Sequence, residues 1–141
     1  MTERVAYFNG SYVPESEVLI PFRDRGFVLG DAVFDTARTF GGKIFKLGEH
    51  IERLYRSLKA IEIDPGMAPQ EMQKISEEVV RRNLSHLEEG DDYWIFQRIT
   101  RGQNVVGGEL WQSSGPTVIV ECTPLPIKTR AKVFHEGIDM H

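Results

Sequence analysis

A short hairpin followed directly by a helix constrains the fold of this chain more than any other feature. Ala32–Phe40 is rich in residues that favour β-strands, and its side chains alternate between two faces. The pair Gly41-Gly42 then supplies a tight turn into Lys43–Phe45, which predicts two antiparallel strands. From Gly48 the apolar residues recur at helical spacing instead, so the sequence predicts a helix immediately after the hairpin.

The rest of the chain carries patterns of the same two kinds. A second helix is predicted to open at Ala68-Pro69 and to stop before Gly90. Val5–Phe8 and Ser11–Val13 are predicted strands that the turn Asn9-Gly10 joins as a second hairpin. The remaining predicted strands are Tyr93–Thr100, Thr117–Cys122 and the pair Lys132–Phe134 and Gly137–Met140. Strands, two helices and strands again predict an α+β fold, with a mainly antiparallel sheet and two helices packed on one face.

Composition argues against several classes of protein. A chain of 141 residues with 40% hydrophobic and 27% charged residues is typical of one folded domain. Its net charge of −4 argues against nucleic-acid partners, and no apolar window is long enough to predict a membrane span. The histidines lack the spacing of metal ligands, so no metal site is predicted. Because Cys122 is the only cysteine and no secretion signal opens the chain, we expect a cytoplasmic location.

Arg53 is the most informative charged residue of the first predicted helix. It lies beside the apolar stripe of that helix rather than opposite it, at the edge of the face predicted to be buried. From there its guanidinium can reach along the rim of the core toward the sheet, where it would suit a doubly charged phosphate. A solvated arginine that pairs with Glu49, four residues earlier, is the alternative.

Three segments together resemble the class IV aminotransferases, which are fold-type IV enzymes that use pyridoxal 5'-phosphate. These segments are Gly30–Asp35, the helical pattern Glu49-His50-x-x-Arg53-Leu54-x-x-Ser57, and Thr100-Arg101-Gly102. The resemblance extends over about Tyr7 to Gly102. It implies that residues 1–123 form the small N-terminal α+β domain of such an enzyme. Residues 124–141 would then be the interdomain connector and the start of the C-terminal domain.

The resemblance also implies roles for individual residues. Arg53 matches the arginine that binds the cofactor phosphate. Phe34 and Arg38 match the phenylalanine and arginine that branched-chain enzymes of the family place on the substrate side of the cofactor. Phe96 matches a pocket tyrosine of the D-amino-acid enzymes, which also carry a tyrosine where this chain has Phe34. Core packing of Phe34 and a surface ladder pair for Arg38 are the alternatives.

The resemblance implies that the catalytic lysine lies elsewhere. In the family, a lysine of the C-terminal domain forms a Schiff base with the cofactor and moves the α-proton of the substrate. None of the lysines of this chain lies in the family's lysine motif. We therefore expect that lysine beyond His141, a chain truncated at that point, and no activity from this fragment alone.

The sequence leaves the substrate open. The loop Gln103–Gly108 resembles neither the arginine-and-histidine carboxylate trap of the D-amino-acid enzymes nor the Gly-Pro-rich loop of the branched-chain enzymes. The donor would be an amino acid, with the branched-chain type favoured, or a primary amine, as in the (R)-selective amine transaminases. Either would pass its amino group to a 2-oxo acid. A homodimer is implied by analogy only.

Two other functions are compatible with the same residues. The first is 4-amino-4-deoxychorismate lyase, which eliminates pyruvate on the same fold. The second is a non-enzymatic half-domain that serves as a binding module.

Overall fold

The computed structural model describes residues 3–109, 111–125 and 127–138. Its strands are β1 (Val5–Phe8), β2 (Ser11–Pro14), β3 (Ala32–Phe40), β4 (Lys43–Ile44), β5 (Tyr93–Thr100) and β6 (Thr117–Pro124). Its α-helices are α1 (Arg25–Leu29), α2 (Leu47–Ala60), α3 (Pro69–Asn83) and α4 (Ile127–Glu136).

One six-stranded sheet, in the order β2-β1-β6-β5-β3-β4, forms the frame of the domain. Every neighbouring pair of strands is antiparallel. The apolar sides of α2 and α3 pack against one face of this sheet and form the core with it. The predicted α+β class, with a mainly antiparallel sheet and two helices on one face, is confirmed. The core includes Ile51, Leu54 and Leu58 of α2, Met72, Ile75 and Val79 of α3, and Ile95, Ile99 and Val120 of the sheet.

The turn residues explain both predicted hairpins. Asn9 and Gly10 have φ values of 45° and 101°, and Gly41 and Gly42 have values of 58° and 77°. Two consecutive positive φ values twist a two-residue turn in the sense that antiparallel strands require. Strands β1 and β2, and strands β3 and β4, pair across these turns as predicted.

The sequence patterns do not predict the short helix α1. The side chain of Asp24 accepts a hydrogen bond of 2.8 Å from the backbone N–H of Gly26 and so caps the start of this helix. Gly30, with a φ of 69°, ends it. The capped turn brings the chain from the segment after β2 into β3.

The strand predicted at Lys132–Phe134 is wrong, because these residues lie in α4. Three residues are too few for strand alternation to outweigh helix-favouring neighbours. The side chains of Lys132 and Glu136 also pair at 3.6 Å across one helical turn. Of the strand predicted at Gly137–Met140, only the first two residues are described, and they lie in no strand; residues 139 and 140 lie outside the described residues.

Alternate residues of the central strands separate two faces of the sheet. On β3, Asp35, Ala37 and Thr39 are buried on the side of α2, and the residues between them lie on the opposite face. We call this opposite face the open face. Its central rows consist of Phe34, Thr36 and Arg38 of β3, Arg98, Phe96 and Trp94 of β5, and Ile119, Glu121 and Thr123 of β6.

One edge of β3 is accessible along most of its length. β3 pairs with β5 over Ala32–Arg38, whereas β4 joins the other edge only at Thr39 and Phe40. Along residues 32–37, that other edge has no partner strand in the described part of the chain. Side chains from both faces of β3 can therefore approach one ligand at this edge.

Three further observations concern membrane spans, metal ligands and the cysteine. None of the described helices is long and apolar enough to cross a membrane. Across residues 3–109, 111–125 and 127–138, no three or more His, Cys, Asp or Glu side chains are grouped to hold a metal ion. Cys122 is a buried free thiol on β6, and burial raises its pKa to about 12.

Candidate functional site

Arg53 and Asp35 form a bidentate ion pair between α2 and β3. The Arg53 Nε atom donates to Asp35 Oδ2 at 2.7 Å, and Nη2 donates to Asp35 Oδ1 at 2.8 Å. The side chain of Asp35 is only 3% exposed, so its charge needs this partner. The alternative pairing with Glu49 is not formed, because Glu49 pairs with Lys46 at 2.9 Å.

Two more donors hold the Asp35 carboxylate in place. His50, one helical turn before Arg53, places its Nδ1 atom 2.8 Å from Asp35 Oδ1. The backbone N–H of Thr36 donates to the same oxygen at 2.7 Å. Burial alone would raise the pKa of Asp35, but the hydrogen bonds from Arg53 and His50 outweigh it and hold that pKa below its usual value. Asp35 is therefore a fixed anion.

The contact with Asp35 uses only one edge of the Arg53 guanidinium. Nε and Nη2 bind Asp35, and Nη2 also lies 3.2 Å from His50 Nδ1. Nη1 has no hydrogen-bond partner among the described residues, and the side chain is 59% exposed. The two N–H groups of Nη1 are thus available to an oxyanion while the rest of the guanidinium is held still. This arrangement fits a phosphate group.

The structure places Phe34, Arg38 and Phe96 together on the open face. The register sets Phe34 opposite Arg98, Thr36 opposite Phe96, and Arg38 opposite Trp94. Phe34 is 70% exposed, so core packing, the alternative for this residue, does not hold. Phe34 and Phe96 are diagonal neighbours on the same face.

Arg38 is turned away from the two phenylalanines. Its guanidinium stacks on the ring of Phe40 at 3.8 Å and contacts Asp92 at 3.4 Å. Its Nε atom donates to the carbonyl oxygen of Thr39 at 3.1 Å. Arg38 therefore lies on the predicted face but toward the end of β3, where Asp92 is its charged partner.

A cavity of about 240 Å³ lies beside Phe34 at the open face. Its walls are mainly apolar, with Ile20 and Phe27 from the segment before β3 and Ile119 from β6. Arg98 lines the same cavity and is stacked on the ring of Phe96 at 4.3 Å. The structure thus places a cation between Phe34 and Phe96, a position that the sequence analysis assigned to no residue.

The motif Thr100-Arg101-Gly102 serves the frame of the domain. Arg101 binds Asp31 through Nε at 2.8 Å and donates from Nη2 to the carbonyl oxygen of Ile61, after α2, at 2.7 Å. Gly102 has a φ of 89°, and a Cβ atom there would lie 1.6 Å from the carbonyl oxygen of Gly115. This motif fixes α2 to the end of β5, which keeps Arg53 in register with β3.

Sequence reasoning missed Asp35 and His50 as partners of Arg53. Both were present in the quoted motifs, but nothing in the motifs states that they meet. The signal was the alternation of β3, which places Asp35 on the helix side, and the three-residue spacing of His50 and Arg53, which places both on one side of α2.

The known proteins that are similar to this chain are aminotransferases. The family model for amino-transferase class IV matches residues 32–133. A D-alanine aminotransferase of Bacillus licheniformis is 34% identical over 131 residues, covering 93% of this chain and 44% of that protein. The structure of a branched-chain amino acid aminotransferase from T.th., complexed with N-(5'-phosphopyridoxyl)-L-glutamate, is similar with a TM-score of 0.73 and 25% identity. That match covers 86% of this chain and 41% of the other, so the chain spans less than half the length of these relatives.

Proposed function

The chain belongs to the class IV aminotransferase family, and on that premise we propose that it supplies the cofactor-phosphate anchor of a pyridoxal-phosphate-dependent aminotransferase. The protein would move an amino group from an amino acid to a 2-oxo acid. Residues 1–123 would be its small N-terminal domain, and residues 124–141 would lead into a second domain that carries the catalytic lysine. A cytoplasmic homodimer is part of the same proposal, by analogy with the family.

One observation carries the phosphate assignment. Arg53 is held by the buried Asp35 along one edge, and its Nη1 atom is available on the exposed side. A guanidinium fixed in this way loses little further freedom when it binds an anion, so it binds more tightly than a mobile one. Arg53 would therefore bind the cofactor phosphate through Nη1, and Asp35 and His50 would position it.

The residues of the open face would form one wall of the substrate pocket. Pyridoxal phosphate, when bound, supplies the electron sink that makes the α-proton of the substrate removable. Phe34 and Phe96 would exclude water from that side of the pocket and contact an apolar substrate side chain. Arg38, bound to Asp92, would close the far end of the wall. This supports an apolar amino acid of the branched-chain type as the donor.

The accessible edge of β3 would let one ligand contact both Arg53 and Phe34. Arg53 approaches this edge from the helix side, where Asp35 lies, and Phe34 approaches it from the open face. Arg53 would hold the cofactor phosphate at this edge from the helix side, and Phe34 would contact the substrate from the open face.

Retention of the cofactor tests the proposal directly. In the lysine-bearing protein that contains this chain, we expect Arg53→Ala to lose pyridoxal phosphate during gel filtration, as measured by the absorbance that stays with the protein. Arg56→Ala is the matched control, because Arg56 is an exposed arginine one turn further along α2. If Arg53→Ala keeps as much cofactor as Arg56→Ala, the phosphate assignment is wrong.

An activity assay of the unmutated, lysine-bearing protein distinguishes amino transfer from pyruvate elimination. Amino transfer to a 2-oxo acid is the expected result. Release of pyruvate from 4-amino-4-deoxychorismate without amino transfer would identify a lyase instead. Absence of any bound cofactor in the parent protein would leave only a binding module.

A further inference from the structure

We infer that Arg98 binds the carboxylate of the substrate and that the cavity beside it holds an apolar side chain. This inference rests on the proposed function, because it names the substrate class of the same site. The ligand would be a monocarboxylate with a branched apolar tail, that is, an apolar amino acid or its 2-oxo acid. A carboxylate-binding role for Arg98 would exclude a simple primary amine as the preferred amino donor.

The position of Arg98 is the first reason. It lies directly opposite Phe34 across the β3–β5 ladder and two residues from Phe96 on the same face. Arg98 is the one cationic side chain among the described residues that line the 240 Å³ cavity. A carboxylate that enters an apolar cavity must meet a cation or a set of hydrogen-bond donors, and Arg98 provides both.

The hydrogen bonds of Arg98 are the second reason. Its Nη1 atom donates to Glu121, which lies opposite Phe96 on β6. A guanidinium has five N–H donors, and no other donor of Arg98 has a hydrogen-bond partner within the described ranges. Its side chain is 42% exposed. Stacking on Phe96 and pairing with Glu121 fix its plane, and the remaining donors can bind an anion.

Asp24, the acidic residue that lines this cavity, does not compete with a substrate carboxylate for Arg98. The Asp24 carboxylate is fully buried and accepts hydrogen bonds from Gly26 N, Thr100 Oγ1 and Thr117 Oγ1. Its oxygens are therefore already used by the frame of the domain. A primary amine in the cavity would bring no anion to Arg98 and would leave the guanidinium donors without a partner after water is displaced.

Binding of a non-reactive probe tests the inference on this chain. The probe is 4-methylpentanoate, and its affinity is measured by NMR titration of the purified chain. We expect Arg98→Leu to weaken binding by about 10- to 100-fold, the range for one charged hydrogen-bonding partner. We expect Arg98→Lys to recover part of the loss, because an ammonium keeps the charge but not the planar fork. The uncharged analogue 4-methylpentan-1-ol should show no such dependence on residue 98.

Arg82→Leu is the matched control. Arg82 also stacks on an aromatic ring, that of Tyr12 at 4.1 Å, and pairs with a glutamate, Glu78 at 2.7 Å. It does not line the 240 Å³ cavity. We expect this variant to bind the probe as the parent does. Equal affinities in Arg98→Leu and Arg82→Leu would overturn the inference.

A second variant keeps the test decisive if Arg98→Leu fails to fold. Arg98→Gln keeps a polar side chain that can donate a hydrogen bond to Glu121 but removes the positive charge, so we expect it to weaken the binding of 4-methylpentanoate by about 10-fold. Binding as tight as that of the unmutated chain would contradict the inference.

Kinetics of the holoenzyme distinguish this inference from the proposed function. Arg98→Leu should raise the KM for leucine and leave the KM for 3-methylbutan-1-amine, which has no carboxylate, unchanged. If the unmutated, lysine-bearing protein does not retain pyridoxal phosphate, the proposed function is refuted. If it transaminates leucine and Arg98→Leu has the same KM for leucine, only the role of Arg98 is refuted.

Discussion

The substitution Asp35→Asn separates positioning of Arg53 from simple charge attraction. Asp35 lies between Arg53 and the core, so removing its negative charge makes the surroundings of Arg53 more attractive to an anion. If charge alone determined phosphate affinity, the variant would bind the cofactor more tightly. The amide nitrogen of asparagine, however, would face the N–H donors of Arg53 and release the guanidinium.

The structure supports a magnitude for each effect. Freeing an arginine side chain restores the rotamer freedom that binding must remove again, which corresponds to roughly tenfold to thirtyfold weaker cofactor binding. The fold also loses charge-assisted hydrogen bonds to a carboxylate that is 3% exposed. Since the partner guanidinium is largely exposed and screened, we expect a loss of about 1–2 kcal/mol in the free energy of unfolding.

The pH dependence has a definite sign. Because the folded chain lowers the pKa of Asp35, ionised Asp35 stabilises the fold above its unfolded pKa of about 3.9. That contribution is lost as the pH falls through the folded pKa. The difference in unfolding free energy between the parent and Asp35→Asn should therefore be full at pH 7 and shrink below about pH 4.

The assay combines urea unfolding at several pH values with titration of pyridoxal phosphate. Glu52→Gln is the control, because it replaces an exposed carboxylate on α2 by an amide. It should match the parent in both measurements. Cofactor binding by Asp35→Asn as tight as that of the parent, or tighter, would refute the positioning role.

Two further predictions concern the frame of the domain. Gly102→Ala should lower the free energy of unfolding by at least about 2 kcal/mol, because its Cβ atom would lie 1.6 Å from the carbonyl oxygen of Gly115. Gly66→Ala, at a φ of 73° in open space, should cost only about 1 kcal/mol, and equal losses in urea unfolding would contradict the steric account. Cys122, whose pKa burial raises to about 12, should not react with a thiol reagent at pH 8 in the folded chain and should react fully in urea. Rapid reaction before unfolding would show that the thiol is accessible.

The strands and the two long helices were predictable because their side-chain periodicity is strong. β3 begins and ends where the alternation of Ala32–Phe40 predicts, and α2 carries a continuous buried stripe. The sequence did not predict α1 because five residues are too few to show a helical period. Its apolar residues Phe27, Val28 and Leu29 are consecutive and exposed, and do not form a buried stripe. α4 was mistaken for a strand because a short apolar segment does not distinguish the two periods.

The candidate site was predictable only in part. The position of Arg53 at the edge of the helix stripe follows from the sequence, since it depends on helix geometry alone. Its partner Asp35 lies 18 residues earlier, and their contact depends on how α2 docks on β3. The place of Arg98 between Phe34 and Phe96 depends on the β3–β5 register, which no local pattern specifies.

Because side chains of β3 alternate between two faces, its odd-numbered and even-numbered residues can be substituted independently of each other. Asp35 faces Arg53, and its neighbours Phe34 and Thr36 lie on the other side of the strand. Under the proposed function, substitutions at the even positions would alter which amino acid is preferred and would leave the contact that holds the cofactor phosphate intact. Deleting a single residue within the strand would exchange the two sets and abolish both properties together. Such a division of labour would let one inherited framework diversify among substrates through few changes.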